Sequence, residues 1–210
     1  MLEKIKWLGH DGFRIEGEKT VYIDPFKLKG SPKAADIILI THEHYDHFSA
    51  EDVEKVRTDD TEIVTIPAVA EKLSGEVHTV KPGDSLTVKG IPIEAVAAYN
   101  VNKFRSPGVP FHPKNAEHVG FILTMGGKRI YHTGDSDVIP EMDDLKVDIA
   151  LIPVSGTYVM TADEAVDAAE RIKPELAIPM HYNAIVGSLT DARKFKESAS
   201  VPVEILEQES

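Results

Sequence analysis

A buried strand that ends in a cluster of polar side chains is the feature that most limits how this chain can fold. The apolar run 35–40 leads directly into Thr41-His42-Glu43-His44-Tyr45-Asp46-His47. Residues two apart in an extended chain share a face, so His42 and His44 are expected to point the same way, with Asp46 and His47 in the turn that follows. Imidazoles and a carboxylate this close would need several hydrogen-bond partners and would repel one another once protonated. The segment therefore predicts one or two divalent metal ions at a sheet edge, with zinc as the first choice and manganese or iron as alternatives.

The composition is that of an ordinary globular chain without disulfides. Its 210 residues are enough for one domain, 1–210, with a sizeable core. No apolar run approaches the roughly 20 residues that a membrane span requires, and the first residues lack the apolar region of a secretion signal. We therefore expect a cytoplasmic protein without a membrane partner. Cysteine is absent, so a metal must be held by His, Asp or Glu.

The net charge of -12 makes nucleic acid an unsuitable partner, because the overall field of the protein would repel phosphates. We expect a small-molecule substrate instead. The sequence leaves a homo-oligomer open as an alternative to a monomer.

The remaining apolar runs predict an alternation of strands and helices. Strands are predicted at 5–8, 12–16, 20–23, 62–66, 85–88, 91–98, 119–124, 128–132, 148–152, 176–179 and 203–206, and helices at 50–57, 161–172 and 190–198. Each half of the chain begins with β-hairpins and then alternates strand and helix. Two sheets packed face to face, with helices outside, would bury both sets of strands.

Two later strands also end in polar residues. Asp135 follows the strand 128–132 and is the carboxylate that we expect between two ions, although it could instead cap the segment 136–142. His181 follows the strand 176–179 and is the expected distant ligand. Loops at one edge of a rigid sheet can converge on one pocket, which would bring both residues to the first cluster. Asp24 is expected either to orient a ligating ring or to form the turn before Pro25.

These residues resemble the metallo-β-lactamase superfamily. Its signature His-x-His-x-Asp-His is matched by His42, His44, Asp46 and His47, and its later Asp and His by Asp135 and His181. The segments 7–10, 23–26, 131–135 and 179–182 are similar to those of the small metal-dependent hydrolases related to L-ascorbate-6-phosphate lactonase. The resemblance spans nearly the whole chain. It implies an α/β fold, a four-layer αββα sandwich of two mixed β-sheets, with a one- or two-metal site at one edge.

The sequence departs from that family in one place. The family usually supplies a third His to the first metal site after the middle strand, where this chain has Ala97-Ala98-Tyr99-Asn100. A phenol titrates near ~10 and an amide binds divalent ions weakly, so neither side chain is an equivalent ligand. We prefer His112 as the substitute, because it lies between prolines on a long segment, although it could also pack under Phe111. His118 opens a predicted strand and is expected at an exposed edge.

The segment 99–117 is too long for a simple connection in a compact domain. It contains Lys103, Arg105 and Lys114 together with three prolines. It predicts a cover over the pocket whose cations bind an anionic group of the substrate, with a solvated loop as the alternative.

The predicted function is that of a metal-dependent hydrolase acting on an ester, lactone or phosphodiester-type small molecule. Metal ions would lower the pKa of a bound water toward ~7 and polarise the scissile oxygen. Asp46 is expected to orient that water as well as to bind metal, and His10 is a further catalytic candidate that donates to the anionic intermediate. His78 and His132 are expected to be structural. The alternative is a metal-binding sensor or scaffold without turnover.

Overall fold

Short strands rich in β-branched residues form two large sheets and one small hairpin in the computed structural model, which describes residues 1–143 and 145–209. The strands are Ile5–Gly9 (β1), Gly12–Glu16 (β2), Thr20–Ile23 (β3), Ile37–Ile40 (β4), Glu62–Thr65 (β5), Glu76–Thr79 (β6), Ser85–Val88 (β7), Ile91–Ala97 (β8), Phe104–Ser106 (β9), Val109–Pro110 (β10), Val119–Met125 (β11), Lys128–His132 (β12), Ile149–Pro153 (β13) and Leu176–Met180 (β14). The α-helices are Ala50–Val56 (α1), Pro67–Ala70 (α2), Ala162–Ile172 (α3) and Leu189–Ser198 (α4).

Both large sheets are mixed, and both change from antiparallel to parallel pairing along the chain. The first sheet has the order β1-β2-β3-β4-β5-β6, antiparallel up to β3 and parallel from β3 onward. The second has the order β14-β13-β12-β11-β8-β7, antiparallel from β7 to β12 and parallel from β12 to β14. The predicted αββα sandwich, with hairpins first in each half, is confirmed.

Helices α1, α2 and α3 each connect two neighbouring parallel strands. Helix α1 lies between β4 and β5, and its N-cap Ser49 accepts a hydrogen bond from the Asp52 backbone. Helix α3 lies between β13 and β14, packs against α4 and β13, and begins with a reciprocal cap between Thr161 and Glu164. No helix in the described part of the chain has the length and apolar composition that a membrane crossing requires.

The core lies between the two sheets and under the helices. Every residue of β4 and of β13 is buried, as expected for parallel strands covered on both faces. These two strands therefore give the loops that follow them a rigid base.

Some elements differ from the sequence prediction. The predicted strand at 203–206 is reduced to one bridge between Val203 and Ala177, where the Ala177 N–H donates to the Pro202 carbonyl and the Glu204 N–H to the Ala177 carbonyl. Strand β6 was missed because it lies partly exposed at the sheet edge and its residues do not alternate. Helix α2 was missed because it has only four residues. The predicted loop 99–117 contains the β9–β10 hairpin.

Candidate metal centre

The ends of β4, β12 and β14, together with the turn between β1 and β2, bring their polar side chains to one edge of the sandwich. His112, which follows β10, lies against them. The residues gathered there are His10, Asp11, His42, His44, Asp46, His47, His112, Asp135 and His181. All of them except the partly exposed His44 are buried.

One group in this cluster consists of three imidazoles. The Nδ1 atom of His44 lies 3.0 Å from Nε2 of His42 and 3.1 Å from Nε2 of His112. These nitrogens lie close enough together to bind one ion. A tetrahedral zinc ion with ligands at ~2.0–2.1 Å separates neighbouring ligand atoms by about 3.3 Å. The spacing of the three nitrogens therefore fits a divalent ion.

Asn100 orients His112 within this group. Its side-chain oxygen accepts hydrogen bonds from the His112 backbone N–H (2.8 Å) and from the His112 Nδ1 (3.0 Å). Its amide group donates to the Tyr158 carbonyl (2.9 Å). Asn100 is not an equivalent of the family's third His ligand. It instead holds the His112 ring so that Nε2 of His112 faces His44.

A second group surrounds the Asp135 carboxylate. Its Oδ1 lies 3.3 Å from Nε2 of His47, and its Oδ2 lies 3.2 Å from Nε2 of His112 and 3.5 Å from Nε2 of His181. Asp135 therefore lies between the imidazole group and the pair His47 and His181. The alternative, a helix cap, does not apply, because the nearest helical turn, Pro140–Met142, begins several residues later.

Each imidazole of this second group uses its other nitrogen for a protein contact. His47 Nδ1 lies 2.8 Å from Asp24 Oδ2, and His181 Nδ1 lies 2.8 Å from Ser155 Oγ. Thr41 donates to the same Asp24 carboxylate through its backbone and its hydroxyl. These contacts fix both rings with Nε2 toward the cluster, which is the usual arrangement for metal-binding histidines. Asp24 thus makes the ring contact that the sequence analysis proposed for it.

Asp46 and His10 contact each other beside this group. His10 Nε2 lies 3.1 Å from Asp46 Oδ2, and the His10 ring centroid lies 4.1 Å from that of His181. His10, Asp46, His47 and His181 also form a compact set of donors that could hold an ion.

The electrostatics divides the cluster into neutral and charged members. Burial lowers the pKa of His10 to about 4 and that of His44 to about 4. Burial also acts on His181, but the Asp135 and Asp11 carboxylates outweigh it and raise the pKa of His181 to about 9. Burial opposes ionisation of Asp135 too, and yet His47 and His181 hold its pKa well below the usual value.

Several buried atoms of the cluster fit a metal ion because they have no other partner. His47 Nε2, His181 Nε2 and Asp135 Oδ1 lack a hydrogen-bond partner among residues 1–143 and 145–209. Buried polar groups are almost always paired, and nitrogen and carboxylate donors suit zinc, manganese or iron. The residues present therefore fit one or two divalent ions.

The backbone around the cluster is held in uncommon conformations. His10, Asp24 and His181 have left-handed φ values of 52°, 44° and 59°. Such residues concentrate at functional sites, where their strain is offset by surrounding contacts. Gly134 also has a positive φ of 62°, and a Cβ there would lie 2.8 Å from the Val119 carbonyl oxygen. Only glycine therefore lets the loop with Asp135 approach this closely.

His118 does not lie at an exposed edge, so that expectation is wrong. It is buried, its ring stacks on His42 with centroids 4.8 Å apart, and its Nε2 lies 3.1 Å from Glu43 Oε2. The reason is that the chain at the start of β11 joins the loop after β4, where the Val119 N–H donates to the Thr41 carbonyl. The His118 contact lowers the pKa of Glu43 to about 2.

The cluster opens into a pocket of about 370 Å³. Its walls include Tyr45, Phe111, Tyr158 and Arg105. The Phe111 and Tyr158 rings meet edge to face at 4.7 Å, and the Arg105 guanidinium lies 5.7 Å from the Phe111 ring centroid. The pocket thus offers aromatic walls and one cation next to the candidate metal ligands.

The other two cations of the segment 99–117 do not face the pocket as expected. Lys103 pairs with Glu164 (2.7 Å) and Lys114 with Glu141 (2.8 Å). Arg105 donates to the Phe111 carbonyl (3.2 Å) and forms no ion pair in the described part of the chain. Of these three cations, Arg105 alone is among the residues that line the pocket, so the expectation of several cations there is wrong.

Sequence reasoning missed three residues of the site. Asp11 has both oxygens buried beside the metal cluster. Asn100 and Ser155 orient His112 and His181. The placement of Asp11 directly after His10 was a usable signal, whereas the ring contacts depend on residues far apart in the chain.

Comparison with known proteins agrees with this geometry. A family model described as "Beta-lactamase superfamily domain" matches residues 4–181. A UPF0173 metal-dependent hydrolase of Thermoplasma volcanium is 35% identical, over 94% of this chain and 91% of that protein. A UPF0173 metal-dependent hydrolase of Pyrococcus abyssi is 36% identical, over 92% of this chain and 91% of that protein.

Solved structures show the same relation. A candidate metal-dependent hydrolase of Parabacteroides distasonis superposes with a TM-score of 0.84 and 33% identity, over 98% of this chain and 93% of that one. Igni18, a metallo hydrolase of Ignicoccus hospitalis, shares the fold with a TM-score of 0.77 at 22% identity, over 98% of this chain and 95% of that one. The chain therefore belongs to the beta-lactamase superfamily, among the metal-dependent hydrolases of the UPF0173 group.

Proposed function

We propose that this metal-dependent hydrolase cleaves an ester, lactone or phosphodiester bond in a small molecule that carries an anionic group. The observation that supports this most strongly is the Asp135 carboxylate, which lies between two groups of imidazoles at the base of the pocket. The similarity to L-ascorbate-6-phosphate lactonase belongs to the same proposal and is consistent with an anionic substrate.

We assign the ligands from the two groups of donors. His42, His44 and His112 would hold the first ion. Asp46, His47 and His181 would hold the second, and Asp135 would contribute to both. Zinc is the first choice because histidine nitrogens dominate the set, and manganese or iron remain alternatives.

The chemistry follows from these ions and the groups beside them. When bound, they lower the pKa of a water toward ~7 and polarise the scissile oxygen. Burial opposes ionisation of Asp46, but the hydrogen bond with His10 and the charge of His47 lower its pKa. Asp46 is therefore an ionised carboxylate at the pocket wall that can orient a water and accept its proton. His10, with a pKa of about 4, is neutral at pH 7 and acts as a hydrogen-bond donor and not as a proton source.

The pocket supports a substrate with an apolar body and one negative group. A volume of about 370 Å³ suits a small molecule. The faces of Phe111 and Tyr158 would contact the apolar part, while Arg105 has free donors for a carboxylate or phosphate.

The alternative function, a metal-binding sensor without turnover, rested on an incomplete first site. His112, with Nε2 3.1 Å from His44 Nδ1, weakens that alternative. The single domain, the cytoplasmic location and a homo-oligomeric state remain predictions.

One assay separates hydrolase from sensor. Purified protein is measured for metal content and then screened on lactone, phosphodiester and thioester panels with and without a chelator. Turnover that disappears with chelator and returns with added metal is expected. Stoichiometric metal with no turnover on any panel would favour the sensor.

A second test concerns Arg105. Arg105→Ala removes a charge-assisted hydrogen bond worth about 1.5–3 kcal/mol, so KM for anionic substrates should rise about 10- to 150-fold. Neutral analogues should be little affected. Arg193→Ala, on the exposed face of α4, is the matched control and should leave both unchanged. Equal KM values for Arg105→Ala and wild type on anionic substrates would contradict this assignment.

A further inference from the structure

The turn between β1 and β2 places the Asp11 carboxylate beside the cluster, and Asp11 is not among the ligands assigned to either ion. Asp11 is fully buried, and neither of its oxygens has a hydrogen-bond partner among the residues that the structure describes. Asp24, a buried carboxylate nearby, by contrast accepts hydrogen bonds from the Thr41 backbone and hydroxyl. A buried carboxylate without donors is unfavourable unless a cation compensates its charge.

The position of Asp11 indicates that the second metal ion would compensate its charge. Its Oδ2 lies 3.3 Å from His47 Nε2, 3.9 Å from His181 Nε2 and 3.9 Å from His10 Nε2. Asp11, His47, Asp135 and His181 place one ligand atom each within 4.8 Å of one another. The unpartnered Nε2 atoms of His47 and His181 therefore face the same space as the unpartnered Asp11 oxygens.

The backbone of the turn is fixed from both sheets. Gly9 and His10 have positive φ values of 108° and 52°. The His10 carbonyl accepts hydrogen bonds from Trp7 Nε1 (2.9 Å) and from the His181 backbone (3.0 Å), and His132 Nε2 lies 2.9 Å from the Asp11 carbonyl oxygen. Contacts with both sheets therefore fix the position of Asp11 in this turn.

We propose that Asp11 is an additional anionic ligand of the second metal ion, beside Asp46, His47, His181 and Asp135. The inference rests on the metal centre proposed above and adds a ligand from the first hairpin of the chain.

The test compares metal binding by the apoproteins of wild type, Asp11→Asn and Asp52→Asn. Asp52 is the matched control, a buried carboxylate away from the cluster that accepts hydrogen bonds from the Lys27 and Leu28 backbone. Zinc and manganese are titrated by calorimetry against a competing chelator, and bound metal is counted after gel filtration. We expect wild type and Asp52→Asn to bind two ions, and Asp11→Asn to bind one of them at least 10-fold more weakly.

Identical stoichiometry and affinity in wild type and Asp11→Asn would overturn the inference and leave the proposed function intact. A wild type that binds no ion would overturn the proposed function itself.

Thermal unfolding gives a readout that does not depend on activity. Removal of an unpartnered buried carboxylate should leave the apoprotein Tm of Asp11→Asn equal to or above that of apo wild type, while the rise in Tm on adding metal becomes smaller. A purely structural role would lower Tm equally with and without metal, and that result would also overturn the inference. Asp11→Ser, which places a smaller neutral group in the turn, provides the same comparison if Asp11→Asn does not fold.

Discussion

Three histidines of the cluster are each oriented by a residue that contacts the ring nitrogen facing away from the cluster. Asn100 binds no metal in the proposed centre, but its side-chain oxygen accepts hydrogen bonds from the backbone N–H and from Nδ1 of His112. Asp24 and Ser155 contact the Nδ1 atoms of His47 and His181, respectively. Because each ring has one nitrogen committed to the protein, the other is presented to the cluster in a fixed orientation.

His112→Ala should therefore remove the first ion. We expect the bound metal to fall by about one ion per chain and kcat/KM to fall roughly 100-fold or more, since loss of even an orienting partner typically costs 10–100-fold. His78→Ala is the control, because His78 lies in β6 and pairs with Glu62 at 2.7 Å. Metal analysis and steady-state kinetics check the prediction, and full stoichiometry in His112→Ala would contradict it.

At the residue scale, the sequence predicted the members of the cluster that follow buried strands. His42, Asp135 and His181 come directly after apolar runs, so their convergence could be expected from topology. Asp11 also follows a buried strand, β1, and its place next to His10 was the usable signal, although a residue between Gly9 and Gly12 also fits an ordinary turn. The contact between Ser155 and His181 joins two separate loops, and no local pattern indicates it.

At the scale of elements, helix α3 fixes the segment that covers the pocket. Glu164, in its first turn, caps the Thr161 backbone (2.7 Å) and also pairs with Lys103 just before β9. Asp137 accepts hydrogen bonds from the backbone of Val101 and Asn102. Carboxylates of α3 and of the loop after β12 thus hold the start of this segment, and the contact of Phe111 with Tyr158 holds its end.

Glu164→Gln should weaken this attachment while keeping the cap, since glutamine also serves in a capping box. Burial opposes ionisation of Glu164, but Lys103 and the Thr161 backbone lower its pKa to about 2. Because the pKa of Glu164 is lower in the folded protein than its unfolded value of about 4.5, the ionised side chain stabilises the fold at pH values above about 4.5. This stabilisation disappears as the pH falls toward 2. Because the Glu164 side chain is partly exposed, with a relative accessibility of 23%, the loss at pH 7 should be at most about 1 kcal/mol.

Urea unfolding of both proteins at pH 7, 4 and 3 measures this difference, which should shrink toward acid pH. Glu197→Gln, at an exposed position of α4, serves as the control and should show no such trend. A constant difference at all three pH values would contradict the assignment to the Lys103 pair.

At the scale of the whole molecule, the metal centre joins the two sheets. His42, Asp46 and His47 come from the first sheet, and Asp135 and His181 from the second. Trp7 of β1 also stacks on Tyr182 after β14, with ring centroids 4.7 Å apart. The order of hairpins followed by parallel strands in each half of the chain made the layered fold predictable. The way in which the edges of the two sheets meet at the cluster could not be predicted, because it depends on side-chain packing.

Removal of metal should therefore destabilise the entire fold. An ion present at about 1,000 times its Kd stabilises the native state by about 4 kcal/mol. For a chain of this size that corresponds to a Tm difference of about 10 °C, measured by calorimetry with and without chelator. Readdition of zinc should restore the original Tm. A Tm that is the same in both conditions would show that the centre contributes no binding energy to folding.

The base of the β9–β10 hairpin is closed by reciprocal contacts between Asn100 and His112, whose backbone groups and side chains meet on both sides. Everything between these two positions can therefore change in length and sequence without displacing the imidazole. The sequence of the hairpin, and with it the choice of substrate, can therefore vary among relatives while the metal-binding residues stay the same. Relatives that share this clamp are expected to differ from one another mainly in that interval.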